Sequence, residues 1–497
     1  MTSDNTNNNS YGNILKATSL FGGVQVYSII IQILRSKFAA VLLGPAGMGI
    51  MGLLNSTVEM VSSITNFGLS TSAVRNIAEA SKQEDNDRLK IVVTVFRKLV
   101  WVTSLLGSLI CLVFSRRLSQ IAFGDTSYSW AILILSVNVL LMQFTACQTS
   151  VLQGLQRYRD MARCGVYGST IGLVITIPLY YLLGINAIVP VLVSSYLISF
   201  LLTWIFYKRI KIGKVKVPFA TFKKEGYDML KMGVLISLSG ILGLASAYLL
   251  KIFIGRYGSL ADVGLFNAGF TMVESYVGLV FTAMAKDYYP RLSKIAKDNV
   301  LFKDTINHQA EISIILLFPI VVVFVVFAKL MVTLLYSKQF LAIDGLIYWA
   351  ISAIIIKAMA WSMSYSILAK GDSRLFFNTE IVAVIYGFIL NILGYYFYGL
   401  TGLGISYFVK YTLYFIQLYF VTSRHYGFRF DRSAIVMALI TMMMVLLTLA
   451  TKLIGNAWVS YPIGSLLIGA SVYYSYKELN KRVAISQYVK DKIWKRK

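Results

Sequence analysis

The sequence predicts an all-α polytopic membrane protein of about fourteen transmembrane helices, arranged as two pseudo-repeated six-helix lobes plus a C-terminal helix pair. Three observations carry this. Of 497 residues, 57% are hydrophobic and only 14% charged, against about 25% charged in a typical soluble domain. Mean hydropathy is +0.68. Apolar segments about the length of a bilayer crossing, ~20 residues, recur along the whole chain.

In order, those segments run over 14–36, 45–74, 99–114, 130–153, 165–183, 187–207, 233–254, 263–284, 309–335, 344–369, 376–398, 401–423, 434–453 and 457–476. The third is short and the second long. Residues 1–13 form a polar tail without the basic start of a signal peptide. Links as short as Gly184-Ile185-Asn186 and Gly399-Leu400 predict antiparallel helical hairpins. The run Gly44-Pro45-Ala46-Gly47-Met48-Gly49 precedes the second helix and reads as a tight hairpin turn, with a hinge or gate as the other reading.

The charge is strongly basic, 47 Lys and Arg against 22 Asp and Glu. In a soluble protein a +25 balance points to nucleic acid. Sorted by these segments, however, most basic residues fall in loops on the side of the N-terminus and few on the other side. Lys16, Arg75, Lys251, Lys329, Lys357 and Lys410 lie within spans or at a span's end. Positive loops face the cytoplasm, so both termini are expected there and no nucleic-acid partner is expected. Two flanks are especially basic, 208–232 between the lobes and the amphipathic tail 477–497. Both read as orientation-setting flanks on anionic headgroups. The expected organisation is an N-lobe over 14–207, a C-lobe over 233–423 and an extra pair over 424–476.

An internal repeat supports two lobes. Gly52, Leu53, Asn55, Met60, Val61 and Ser63 recur at a constant offset as Gly264, Leu265, Asn267, Met272, Val273 and Ser275. Parallel six-span repeats are a transporter architecture, with substrate sites near the midplane.

Polar side chains inside the spans then mark candidate sites. At 100° per residue, Thr18, Gln25, Ser28, Gln32 and Arg35 share one face of the first helix. Asn55, Glu59, Ser62, Asn66 and Ser70 share a face of the second. Asn267, Thr271, Glu274, Gly278 and Thr282 do so on the eighth, and Ser237, Gly240, Tyr248 and Lys251 on the seventh. Such stripes cannot face lipid unsatisfied. Glu59, Glu274, Lys357 and Lys410 lie near span centres, where an ionised group costs at least about 2.5–3.5 kcal/mol. They either line a wet transport cavity or form a buried Glu–Lys pair that registers the lobes. Lys16, Arg75 and Lys329 lie near span ends and snorkel, and Glu380 reads as structural.

Enzymatic chemistry finds no support. Cys111, Cys147 and Cys164 imply no disulfide framework, and His308 and His425 stand far from any metal-ligand spacing. There is no Walker A sequence, and the longest outward loop, near 115–129, is too short for a catalytic domain. No cofactor or metal is expected. Gradient-driven transport is the surviving class.

Leu15-Lys16-Ala17-Thr18-Ser19-Leu20-Phe21-Gly22-Gly23-Val24-Gln25, then Arg35-Ser36-Lys37 and Leu42-Leu43-Gly44-Pro45-Ala46-Gly47-Met48-Gly49-Ile50-Met51-Gly52-Leu53, resemble the N-terminal region of Wzx-type O-antigen and capsular polysaccharide flippases. These belong to a superfamily that also holds multidrug extruders and lipid II flippases. The similarity is densest over 15–80. It implies two lobes forming a V around a central cavity, alternating access, and a place in the bacterial inner membrane. The implied substrate is undecaprenyl-diphosphate-linked oligosaccharide, moved from inner to outer leaflet. Membrane lipids and polysaccharide polymerase machinery are the other implied partners. Arg35, Lys251, Lys357 and Lys410 are then candidates for the diphosphate, chosen by position. Gln25, Gln32, Asn55, Asn66 and Asn267 are candidates for sugar hydroxyls, and Glu59 and Glu274 for ion coupling. Rival readings are a cation-coupled multidrug extruder, a peptidoglycan-precursor flippase and a non-transporting envelope scaffold.

Overall fold

The computed structural model describes residues 4–82, 86–213, 215–453 and 457–483, with the backbone alone over 4–26. The described residues are helical almost throughout and contain no strand. The helices are α1 (Asp4–Asn66), α2 (Leu69–Lys82), α3 (Asn86–Val113), α4 (Ser115–Phe123), α5 (Ser129–Gly154), α6 (Tyr158–Leu183), α7 (Ile188–Lys208) and α8 (Phe219–Tyr257). There follow α9 (Leu260–Phe270), a π-helical stretch (Thr271–Val277), α10 (Gly278–Lys294), α11 (Asn299–Leu335), α12 (Asp344–Ser352), α13 (Ile354–Ala369), α14 (Ser373–Tyr426), α15 (Arg432–Leu453) and α16 (Ala457–Val483).

The protein is a multi-pass membrane protein. Among the described residues nine helical runs are long and apolar enough to cross a bilayer, or ten if the bent pair α12–α13 region counts as one span. Three of the nine each contain two of the expected segments. They divide at Gly44 (φ 65°), Gly184 (φ 54°) and Gly399 (φ 55°), the first opening the expected hairpin turn 44–49 and the other two lying in links of three and two residues. The Gly399 turn shows the reason. Its ψ of −138° belongs to a region that L side chains essentially do not occupy. About it α14 folds back on itself: Ser406 Oγ donates to the Leu390 carbonyl at 2.6 Å, and a Cβ on Gly394 would stand 2.5 Å from the Gly402 oxygen. Two bare glycines let the limbs touch backbone to backbone.

Several expected ends move. The third segment is a full-length helix, since α3 begins at Asn86 and continues through its charged first turns. The second bends at Phe67 and Gly68, both with positive φ, so 45–74 is shared between α1 and α2. Half of the basic stretch 208–232 is helical, because α8 starts at Phe219. The loop near 115–129, expected as the longest outward one, folds in part into α4, closed by a left-handed Gly124. Residues 484–497, which hold most of the expected amphipathic tail, lie outside the described residues.

Packing divides the chain into two compact units, Met1–Gly264 and Leu265–Lys497. The first therefore includes α8, which carries the seventh expected segment; a Cβ on Gly233 of α8 would stand 2.5 Å from the Phe67 oxygen. Its apolar core groups Leu54, Val58, Leu135, Val139, Ile188 and Val191. Beside them sits Gln143, 1% exposed. Its amide donates to Thr65 Oγ1 at 2.8 Å and accepts from Thr103 Oγ1 at 2.9 Å, joining α1, α3 and α5. In the second unit α11 is the central helix, with Ile314, Phe318, Val321, Val322 and Val325 fully buried. The C-terminal pair α15–α16 packs on it: Val326 lies against Gly464, and Phe318 meets Tyr474 edge-on. Asn307 of α11 clamps the preceding turn, bonding the Arg429 carbonyl and the Asp431 amide.

Candidate functional site

Each unit holds a polar cluster inside its spanning helices. In the first, the turn of α1 from Asn55 to Glu59 supplies most of the groups. Asn55 Nδ2 donates to Glu59 Oε1 at 2.6 Å, and Asn55 Oδ1 accepts from Tyr196 OH at 2.9 Å. One residue before Tyr196 on α7, Ser195 Oγ accepts from Arg35 Nη2 at 2.7 Å. Lys251 of α8 donates to Ser56 Oγ at 2.7 Å and is close enough to Glu59 for a direct Coulombic attraction. The Thr57 and Tyr248 hydroxyls bond at 2.9 Å. Glu59 also borders a cavity of about 470 Å³ whose wall includes Ser62, Asn66, Ser70, Thr71 and Ser237. That wall is the polar face expected of the second helix. The helical period brings Glu59, Ser62 and Asn66 of α1 to one surface, and Ser70 joins it from the first turn of α2, beyond the bend at Phe67 and Gly68.

In the second unit the cluster is ionic and aromatic. Lys357 Nζ on α13 lies 2.7 Å from Glu274 Oε2 and 3.0 Å from Tyr407 OH. Tyr407 OH in turn donates to Glu274 Oε1. The Lys357 ammonium also stands 5.0 Å from the Tyr411 ring centre and 5.5 Å from that of Phe281, within cation–π range. Its side chain is 12% exposed, whereas that of Glu274 is 42% exposed. The ammonium is thus enclosed and the carboxylate opens outward. Glu274 sits in the middle of the π-helical stretch, a local geometry that recurs at functional sites. Lys410 packs its stem on Gly387, where only a missing Cβ leaves room. Its ammonium is 5.4 Å from the Tyr411 ring and acts electrostatically on Glu274. Tyr414 OH donates to Glu380, the carboxylate expected to be structural.

The candidates therefore separate into groups. Arg35, Asn55, Glu59 and Lys251 come together in the first unit, with Asn66 further along the cavity. Glu274, Lys357 and Lys410 come together in the second, so the Glu–Lys pair lies within one unit. Gln32 is exposed and away from either cluster's hydrogen bonds. Asn267 has its carbonyl bonded to Thr271 Oγ1 while its buried Nδ2 finds no partner. The side chain of Gln25 lies outside the described residues, as does that of Lys16. Arg75 pairs with Glu79 at 2.9 Å and Lys329 with Asp344 at 3.6 Å, both exposed, as snorkelling ends should be.

Sequence reasoning missed the tyrosines. Tyr407, Tyr411 and Tyr414 follow the i, i+4, i+7 spacing of one helix face, but inside an apolar span they read as packing. Tyr196 and Ser195 were hidden likewise. The groups assembled here offer binding chemistry: ammonium and guanidinium donors, hydroxyls, and carboxylates that neutralise them. Among the described residues no cluster of three His, Cys, Asp or Glu could hold a metal ion.

Comparison with known proteins adds to this geometry. Residues 39–344 match the polysaccharide biosynthesis protein family. The chain is 22% identical over 366 residues to the lipid III flippase of Escherichia coli (strain K12), covering 70% of this chain and 83% of that one. The lipid III flippase of Shigella flexneri matches equally. Among solved structures, an inward-facing multidrug resistance MATE family transporter of the MOP superfamily superposes with TM-score 0.69 at 14% identity, over 81% of this chain and 94% of that one. The lipid II flippase MurJ, in an inward closed conformation, gives TM-score 0.64 at 14% identity, over 95% of this chain and 100% of that one. At such identities the shared property is the fold.

Proposed function

The chain belongs to the polysaccharide biosynthesis protein family, and on that premise we propose that it is a flippase. It moves undecaprenyl-diphosphate-linked oligosaccharide, an O-antigen or capsular repeat unit, from the inner to the outer leaflet of the bacterial inner membrane by alternating access. Both termini are then cytoplasmic, as the basic loops require. The observation that carries the reading is the Lys357–Glu274 pair held inside spanning helices. A buried cation in a membrane is costly and marks a substrate or ion pathway.

The roles follow from chemistry. Lys357 and Lys410 in the second unit, and Arg35 and Lys251 in the first, are the cations each unit offers to a diphosphate. Gln25, Gln32, Asn55, Asn66 and Asn267, with the hydroxyls of Ser62 and Ser70, bond sugar. Glu274 and Glu59 compete with the diphosphate for the same cations. When a proton or a metal cation neutralises Glu274, Lys357 is released to take the anion; when the carboxylate is restored, it expels the anion. That exchange ties each transport step to an ion gradient. The membrane potential assists directly, since each negative charge moved outward is worth about 2.3 kcal/mol per 100 mV.

The experiment is reconstitution into vesicles containing undecaprenyl-diphosphate-linked oligosaccharide, with a membrane-impermeant glycosidase reporting glycan on the far leaflet. The protein should raise the cleavable fraction above that of empty vesicles, and K357Q should return it to that baseline. No rise with the wild type overturns the flippase reading. A rise accompanied by export of a cationic dye would shift it to a multidrug extruder.

A further inference from the structure

A second cavity lies in the first unit, and it differs from that of the Glu59 stripe in chemistry and in lining. It measures about 230 Å³ and is walled by Arg97, Trp101, Phe144, Phe200, Trp204 and Tyr207 of α3, α5 and α7. The wall is a continuous aromatic surface. Trp101 meets Phe144 edge-on at 4.6 Å, and Phe144 lies 6.2 Å from Phe200. Trp101 is 54% and Trp204 43% exposed. The helix faces beside them continue apolar and open through Val102, Leu105 and Leu201. The polar floor is already closed, because Thr203 Oγ1 donates to Gln148 Oε1.

One end of this groove is cationic. On α3, Arg97 stands one turn before Trp101; on α7, Lys208 stands one turn after Trp204. The two helices run in opposite directions through the expected topology, so both cations fall at the same end. Lys98 and Arg209 adjoin them. The Arg97 guanidinium is 5.9 Å from the Tyr207 ring, Lys208 is 5.1 Å from Trp204, Lys98 is 5.8 Å from Phe222 and Arg209 is 4.8 Å from Phe206. Among the described residues, none of these four cations forms an ion pair with a carboxylate. Four cations without a carboxylate partner at one end of an exposed aromatic groove are complementary to one kind of molecule, an anion with an apolar tail.

We infer that this groove is a binding site for an anionic glycerophospholipid, with the phosphate on Arg97 and Lys208 and an acyl chain along Trp101, Phe144 and Trp204. The aromatic rings belong at headgroup depth, where Trp and Tyr are enriched. Basic side chains at that depth attract anionic headgroups by about 1 kcal/mol each. The open apolar faces fit a lipid and give a free phosphate nothing to bind. This site is separate from the Lys357–Glu274 cluster and needs no transport activity to be occupied.

The test is native mass spectrometry of the full-length protein, delipidated and then titrated with phosphatidylglycerol or phosphatidylcholine, using wild type, R97Q and K208Q. Phosphatidylglycerol should be retained in preference to phosphatidylcholine, and each substitution should lower its retention about fivefold, as loss of ~1 kcal/mol requires. K208Q lies at a helix end and removes no packed group, so it serves if R97Q folds poorly. Brominated-chain phosphatidylglycerol should quench wild-type tryptophan fluorescence more than it quenches the W101F/W204F variant. Equal retention of the two lipids, equal retention by wild type and both variants, or displacement by millimolar inorganic phosphate would each overturn the proposal.

Discussion

Lys357 and Glu274, 83 residues apart in sequence, meet at 2.7 Å, and Tyr407 bonds both. Three helices thus converge on one ion pair. The ammonium is enclosed and the carboxylate half open. Removing one member strands the other in a low-dielectric site; removing both does not. K357A should therefore destabilise the protein more than K357A/E274A does. A fully buried pair broken on one side loses about 3–5 kcal/mol; with Glu274 partly solvated, about 1–3 kcal/mol is expected. Thermal unfolding in detergent measures it, and equal losses in the single and double variants would contradict the pairing.

Gly387 makes space for Lys410. A Cβ there would stand 2.9 Å from the Lys410 Cε, the far end of a flexible chain that can step aside. G387A should therefore leave unfolding within about 0.5–1 kcal/mol of wild type, in the range of an ordinary helical substitution. It should still lower glycan flipping in vesicles by displacing the ammonium from Tyr411. Unchanged flipping would remove Lys410 from the site.

The hairpin within α14 rests on two glycines with different jobs. G399A forces an L residue into a region reserved for glycine, costing about 1–3 kcal/mol. G394A puts a Cβ 2.0 Å from Ser406 Oγ and 2.5 Å from the Gly402 oxygen, so the limbs must separate. Of the two, G394A should lower the melting temperature more, because rigid backbone cannot yield where a turn can relax.

Asn138 on α5 is 1% exposed, and neither its oxygen nor its amide nitrogen has a hydrogen-bond partner. Leaving a buried polar group unsatisfied costs about 1–3 kcal/mol. N138L should raise stability by a comparable amount, read as a higher melting temperature. A fall instead would show that Asn138 holds an internal water.

Beyond the last expected span, Arg482 ties the C-terminal pair to α11. Its guanidinium bonds Glu311 at 2.8 Å, Glu478 at 2.6 Å and Ser433 at 3.0 Å. Burial alone would push the Glu478 carboxyl up, but hydrogen bonds and charge from Lys481 and Arg482 together hold it below the ordinary carboxylate range. A carboxylate lowered in the folded state stabilises above its unfolded pKa, and that contribution fades as pH falls through the lowered value. The hydrogen-exchange protection factors in 477–483, corrected for the intrinsic pH dependence of exchange, should thus hold at neutral pH and fall as Glu478 is protonated in acid. R482Q should weaken that pH dependence, with Lys481 still paired to Glu478 at 2.7 Å.

Much of the fold was legible because membranes impose simple rules. The apolar lengths located the helices, the reversals at Gly184 and Gly399 stood out as very short links between them, and the one at Gly44 as a Gly-Pro run. The stripe from Glu59 to Asn66 was readable because a helix repeats every 3.6 residues, whereas Ser70 reaches the same cavity only through the bend at Phe67 and Gly68. What escaped were features that depend on a partner from elsewhere in the chain. Tyr407 and Tyr196 look like packing until Lys357 and Asn55 stand opposite. Arg97 and Lys208 look like flanking charges until α5 brings α3 and α7 to the two sides of one groove. The packing of α8 with the first unit, which places Lys251 beside Ser56, was equally invisible, since hydropathy names a span without naming its neighbours.

The sequence by itself determined that this chain is a membrane protein, where its helices turn, and which few charges remain inside the apolar segments. Those follow from the cost of placing polar groups in hydrocarbon, which is local and can be summed residue by residue. Only the tertiary structure decided that Lys357 is neutralised by Glu274 within one unit, that Arg35 and Lys251 belong to the other cluster, and that an aromatic groove carries its own cations. Such pairings depend on which helix faces meet, and a period of 3.6 residues fixes a face without fixing what it faces.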